Sequence, residues 1–370
     1  MNSTTVTATA TTRPVVVVLG ASDPEMCIIE NLARQAGLTV EYATVVRGGV
    51  RRRVAPSEAY APDVSIGDGR RGEATHAICV ECRPAVLFGS SQEGMDWAGM
   101  VDLIDHHNPG DPGYGLPPEK FFPGSSIGQF ISILARLELI PADWARGGGE
   151  CAPEWAPTGS LFCIKDFGPK VTPGGAEWRV TLGAWTEWDL DVATWAVVPE
   201  ELVLAAAADH CLEPAYRGRC PGVNPDRLMA WRVKSRAEFQ ATLPANAGKT
   251  VYEVASRIMR DIEAARAILR EASQKWDESS PEAPEGRLVQ LEYADLRGRQ
   301  VPELPEAAAR EGIPFLSAVT DRVTGRNKVN MMAAPPALVE RFMSGELLPG
   351  LKLVDVYGDP ARGFAGGYLS

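Results

Sequence analysis

Asp105, His106 and His107 follow directly on the apolar run VDLI (101–104), so two of the four histidines in the chain are adjacent. Neutral imidazole and carboxylate are the donors that Mn, Fe, Co and Zn sites use. The alternative role for such a trio is to close a strand end by bonding nearby carbonyls. A second Asp-His pair, Asp209 and His210, ends the stretch PEELVLAAAADH. Asp23 and Glu25 in ASDPE, and Glu81 in VEC, come just after two other apolar runs. Carboxylates drawn to one rim from so many segments repel one another unless cations hold them, which points to one or two divalent ions. Two-ion sites lower the pKa of a bound water and clamp the entering and leaving oxygens of an in-line attack on phosphorus.

The elements that must carry these groups can be read in order. PVVVVLG (14–20) is a β-branched run expected as a central strand covered on both faces. PEMCIIENLARQAG supplies a helix with Pro24 in its first turn, Asp23 or Ser22 as cap and Gly37 as stop. LTVEYATVV (38–46) reads as a second strand, giving a right-handed βαβ unit. Residues 47–74 (RGGVRRR, GDGRRGE) read as a Gly- and Arg-rich loop, either solvated or meeting phosphates. HAICVEC and VDLI are the third and fourth strands of an expected parallel sheet, which places Glu81 and Asp105-His106-His107 at strand C-termini, where open α/β sheets bind ligands. GSSIGQFISILARLELI is a helix with Ser125 and Ser126 at its start, as plain caps or as an anion site. A further helix starting at Pro199 carries Asp209 and His210 near its end.

The expected class is α/β: a parallel-sheet N-terminal domain followed by a smaller α/β C-terminal domain. The boundaries are a flexible tail at 1–13, a metal domain at 14–248, a connecting helix and linker at 249–286, and a substrate-binding domain at 287–370. An insertion at about 144–196 carries five tryptophans between 155 and 195 and reads as aromatic core, a lid or an interface. The net charge of −11 argues against a groove for long duplex nucleic acid. No apolar run is long enough to span a bilayer, and MNSTTVTATATTRP lacks the pattern of a secretory signal, so a cytoplasmic protein is expected. Seven cysteines, an odd number, fit reduced thiols, and the Cys79/Cys82 spacing falls in an apolar strand pattern.

The order and setting of LGASDPE, VEC, IDHH and AADH resemble the DHH superfamily of phosphoesterases, and the resemblance covers most of the chain, with a DHHA1-like terminal domain. It implies that Asp23, Glu25, Glu81, His106 and Asp209 hold one or two Mn2+ or Mg2+ ions. It also implies that His107 touches the scissile phosphate and that Asp105 orients the imidazoles. Ser125 and Ser126 fall where the family often writes Ser-Ser-Thr at a helix start. GDPARGFAGG resembles its Gly-rich closing motif, which assigns Gly366, Gly367 and Arg362 to the substrate phosphate. This chain departs from the pattern in three ways. Leu19 stands where the first motif has histidine, Glu25 and Glu81 replace aspartates, and the terminal motif lacks its histidine. His210 or His76 is the candidate replacement imidazole.

The resulting expectation is a metal-dependent phosphohydrolase for a short nucleotide: an oligonucleotide, a cyclic dinucleotide or a nucleoside bisphosphate. The alternatives are a family-like protein that binds nucleotide or a protein partner without catalysis, and a nucleotide-tailoring enzyme at the same metals. A homodimer is compatible with either. If the ligand assignment is right, His106→Ala and Asp209→Ala each abolish Mn2+ binding in titration calorimetry. Unaltered binding in either would refute it.

Overall fold

The computed structural model describes residues 15–66, 75–88, 100–144, 146–148, 167–172, 175–181, 194–277, 287–320 and 325–370. The expected tail, residues 278–286 of the expected linker and much of the Trp-rich insertion lie outside the described residues. The chain divides into two compact units, one of residues 1–21 and 30–103, the other of 22–29 and 104–370. Among the described residues no helix is long and apolar enough to cross a membrane.

The first unit is built on a mixed sheet. Its strands are β1 (Val15–Leu19), β2 (Thr39–Arg47), β3 (Val50–Arg53), β4 (Ser65–Ile66), β5 (His76–Val80) and β6 (Met100–Ile104), in the order β3-β2-β1-β5-β6 with β4 also on β2. β1 pairs in parallel with both β2 and β5, and helix α1 (Pro24–Gln35) lies between β1 and β2 in sequence. The apolar runs are therefore central, and Val17, Val18, Leu19, Ala77, Ile78, Cys79 and Val80 are fully buried. β3 and β4 run antiparallel to β2, where a wholly parallel sheet was expected. The reason is the two-residue turn Gly48–Gly49, both at positive φ, which folds the supposed RGGVRRR loop into a hairpin.

That hairpin also accounts for its arginines. Arg47 and Arg52 converge on the buried carboxylate of Glu58 (3.1 and 2.8 Å), and Arg51 reaches Ser65 Oγ (3.2 Å). Arg53 stacks on Tyr42 and donates to the carbonyls of Gly20 (2.6 Å) and Ala21 (3.3 Å). These side chains brace the sheet's end. Chain order leaves β1 for β2 on one side and returns to β5 on the other, so the C-terminal ends of β1 and β5 form a switch point. Gly20 sits there, bonded through its N–H to Val80 O (2.9 Å), and a Cβ on it would lie 2.4 Å from Glu81 O. Glu81 itself takes a left-handed backbone conformation (φ 49°), uncommon for a residue with a side chain.

The second unit is mainly helical before its terminal sheet. Two short helices, α2 (Ala85–Phe88, in the first unit) and α3 (Phe121–Gly124), precede α4 (Ser126–Arg136), α5 (Glu200–His210), α6 (Leu212–Tyr216), α7 (Pro225–Ala241) and α8 (Val251–Ala272). The described parts of the Trp-rich stretch, β7 (Arg146–Gly148), β8 (Phe167–Thr172), β9 (Gly175–Thr181) and β10 (Thr194–Val197), form an antiparallel sheet ordered β7-β10-β9-β8. Thr250 and Glu253 form a reciprocal capping box at the start of α8. The helix then lays Val254, Ile258 and Ile262 against Met229, Val233 and Ala237 of α7. One turn further on, Ala265 and Leu269 join the core of the terminal region with Leu304 and Phe315. α8 is thus a packed core helix, where the sequence suggested a spacer.

β11 (Gln274–Asp277) pairs with β12 (Arg287–Gln290), and only β13 (Ala294–Asp295) carries on into the terminal sheet. That sheet adds β14 (Phe315–Thr320), β15 (Asn327–Met332), β16 (Leu353–Asp359) and β17 (Phe364–Leu369), ordered β13-β14-β15-β17-β16, with helices α9 (Leu304–Glu311) and α10 (Pro336–Met343). VDVYG, expected as the last strand, is the edge strand β16. FAGGYL, read only as a binding motif, is inserted between β15 and β16.

α9 is fastened to the helices before it by a buried carboxylate: Glu306, with no exposed surface, accepts from Tyr216 Oη and from Arg232 Nε (2.8 Å). Removing one partner from a buried pair leaves the other charge uncompensated, which typically costs about 3–5 kcal/mol. Glu306→Ala is accordingly expected to lower stability by roughly that amount in urea unfolding, whereas a loss below about 1 kcal/mol would show the network to be incidental.

Candidate metal centre

β6 ends at Ile104, and the chain then turns on Asp105, whose carboxylate is fully buried. Oδ1 of Asp105 accepts from the main-chain N–H of His106 (2.8 Å), that of His107 (3.1 Å) and Nδ1 of His107 (2.9 Å). One oxygen therefore fixes both the turn and the ring of His107 through Nδ1–H donation. Gln129 of α4 grips the main chain of Asp105 in both directions: Oε1 accepts from Asp105 N (3.2 Å), and Nε2 donates to Asp105 O (3.1 Å) and to Gly124 O (2.9 Å).

The fully buried His106 ring faces Asp209, the penultimate residue of α5, with Nε2 3.0 Å from Oδ2. Neither atom makes a hydrogen bond of sound geometry. Lone-pair donors that approach closely without pointing at each other are arranged as two ligands of one cation would be. The His107 and His210 rings lie 4.4 and 5.1 Å from the His106 ring, centroid to centroid. Glu25, in the first turn of α1 and nearly inaccessible, lies within hydrogen-bonding reach of Asp209. Two carboxylates hold that separation only with a proton or a cation between them.

Glu25 also answers the question of the helix N-terminus. Oε1 accepts from Ile127 N (3.1 Å) in the first turn of α4, while Ser125 Oγ caps the helix by accepting from Gly128 N (3.0 Å) and donates to Phe122 O (2.8 Å). Ser125 and Ser126 are fully buried. The anion seated at this positive helix end is thus the chain's own Glu25, where the sequence suggested a substrate phosphate.

The electrostatics are consistent with metal ligation. Burial, reinforced by the charge of Arg362, holds the His106 imidazole down at about 4, and the same two causes push His210 well below its ordinary value. Both rings are neutral near pH 7, the form that binds metal. Burial resists ionisation of Asp209, but the adjacent His106, its bond with Glu25 and the charge of Arg362 outweigh that and keep the carboxyl well below the usual range.

The remaining expected site residues are placed as follows. Oδ1 of Asp23 caps α1 by accepting from Met26 N (2.7 Å). Glu81 follows the last residue of β5 in the first unit. His76, at the start of β5, is paired with Asp102 (2.8 Å), and the His210 ring lies 5.1 Å from that of His106. Gly366 and Gly367 lie within β17, where a Cβ on Gly366 would collide with the Tyr357 ring. Arg362, expected on phosphate, donates instead to three main-chain carbonyls of His210, His106 and Asp209.

Two glycines that the sequence reading passed over shape the site. A Cβ on Gly113 would lie 2.0 Å from Gly124 O and 2.8 Å from His106 Cβ, and one on Gly124 would lie 2.7 Å from His210 Nε2. Their signal was present in NPGDPGYG and FFPGSS as glycines beside the histidine turn and the helix start. Comparison of the chain with protein-family models, with curated proteins and with solved structures gives no match.

Because His106 takes up a proton less readily folded than unfolded, the unfolded chain binds more protons between about pH 4 and 6.5. Its contribution is fully present above that window and is lost as pH falls through it. The melting temperature of the metal-free protein should therefore drop on acidification from pH 7 to 5, and His106→Gln should flatten the drop. An identical pH profile in the variant would contradict the buried neutral ring.

Proposed function

We propose that this chain is a metal-dependent phosphohydrolase acting on a short nucleotide substrate. The observation that carries the reading is the meeting of Glu25, His106 and Asp209, from three separate segments, with His107 and His210 beside them. A mixed oxygen and nitrogen donor set favours Mn2+ over Mg2+, which prefers all-oxygen surroundings.

Glu25, His106 and Asp209 would hold the ion, with His210 as the further imidazole. When bound, such an ion supplies Lewis acidity, lowering the pKa of a water and offsetting phosphate charge. The protein's own groups do the rest. Asp105 fixes His107 in one tautomer, so that its partly exposed ring presents Nε2 to a phosphate oxygen or to a proton in transit. Gln129, Gly113 and Gly124 keep the turn and the His210 ring from relaxing apart. The choice of a short nucleotide as substrate rests on the resemblance of IDHH and its companion segments to DHH phosphoesterases, and on a net charge that disfavours long nucleic acid.

The test is release of mononucleotide from a short 5′-labelled oligonucleotide by Mn2+-loaded protein, with cyclic dinucleotide and nucleoside bisphosphate as parallel substrates. Metal-dependent turnover that Asp209→Asn removes is the expected result. Failure of the Mn2+-replete protein to hydrolyse any of these phosphoesters, with nucleotide binding intact, would move the reading to a binding protein.

A further inference from the structure

We propose that Arg362 is a positioning residue of the candidate metal centre, locking the main chain of its two principal ligand segments into register. The inference rests on the reading of that cluster as a metal centre. It follows from where the guanidinium donates: Nε to His210 O (2.6 Å), Nη1 to His106 O (2.9 Å) and Nη2 to Asp209 O (3.2 Å). Each nitrogen is engaged with a different carbonyl, and all three carbonyls belong to residues whose side chains form the cluster. Three of the five N–H donors of the guanidinium are thereby directed at main-chain carbonyls.

The geometry suits arginine alone. A guanidinium is a rigid plane with donors diverging over several directions, so it can tie the histidine turn to the end of α5 while fixing the peptide planes from which the His106 and Asp209 side chains spring. Lysine has the charge but concentrates its donors at one atom. The plane is itself held: Arg362 is 8% exposed and lies over the Phe364 ring at 4.8 Å.

Its backbone is anchored too. In the turn between β16 and β17, Asp359 O accepts from Arg362 N (3.1 Å) and Gly363 N (3.0 Å), and Oδ1 accepts from Ala361 N (2.9 Å). Asp359 Oδ2 accepts from Gly115 N (3.0 Å), and Tyr114 Oη donates to Gly358 O (2.8 Å), which binds the loop after the histidine turn to the same place. Gly363 adopts φ +74° and its carbonyl accepts from Ala334 N (3.0 Å), fixing the turn to the terminal sheet.

The experiment compares full-length wild type with Arg362→Lys in the metal-free state, titrating Mn2+ by calorimetry and then assaying the short oligonucleotide. Partners behind metal ligands typically contribute about 10–100-fold in metal affinity, so a loss in that range is expected for the lysine variant, with KM for the oligonucleotide at saturating Mn2+ within about twofold of wild type on the same ground. A merely structural role would lower the melting temperature of the metal-free protein and leave Mn2+ affinity unchanged. Should Arg362→Lys fail to fold, Phe364→Leu, which keeps every donor and withdraws the ring beneath the plane, is expected to weaken Mn2+ binding by a smaller factor. A folded variant with wild-type Mn2+ affinity, or one whose only defect is a raised KM, overturns the assignment. If wild type itself binds no Mn2+, the metal-centre reading falls and this assignment falls with it.

Discussion

Two carboxylates held side by side, those of Glu25 and Asp209, set the central constraint on the second unit. Their mutual repulsion has to be balanced by the groups around them. The first turn of α4 contributes the Ile127 N–H to Glu25, the His106 ring stands against Asp209, and the Arg362 guanidinium adds a nearby positive charge. Each compensation is partial, since a neutral imidazole and a helix terminus carry less than a unit charge, so the arrangement retains a demand for cationic charge. That residual demand is the physical basis for reading the cluster as a metal centre.

Much of this was legible in the sequence, and the legible parts share a cause. The runs VVVVL, HAICV and VDLI announce themselves through their concentration of apolar residues, and an acid or imidazole just beyond such a run is delivered to the strand's end. The resemblance implied Asp105 as the residue that orients the imidazoles, and Asp209 and His210 could be seen as the end of a helix. Glu25 was visible as an acid but not as the occupant of a helix N-terminus begun a hundred residues later, since local spacing says nothing about which anion reaches those N–H groups. For the same reason Ser125 could be read as a cap or as a phosphate ligand, and only the position of Glu25 decides what else shares that helix end.

The misreadings also have physical reasons. RGGVRRR has the composition of a loop, yet paired glycines at positive φ make it a tight hairpin whose arginines are satisfied by Glu58, Ser65 and the carbonyls after β1. FAGGYL lacks the bulk expected of a strand interior, and the Tyr357 ring from the neighbouring strand fills the space above Gly366. Arg362 carries the composition of a phosphate ligand. Its actual partners are carbonyls 152, 153 and 256 residues earlier, which no local pattern can disclose.

That separation bears on biosynthesis. A chain emerging from the ribosome presents His106 and His107 first and Asp209 much later, and the guanidinium that seats their backbones comes last of all. If the cluster takes up a divalent ion as proposed, a partly made chain would carry the donors before the scaffold that aligns them, and early loading would be disfavoured. Metal choice would then be made by the finished fold, and fragments lacking the final turn would pass through the cell without sequestering the ion.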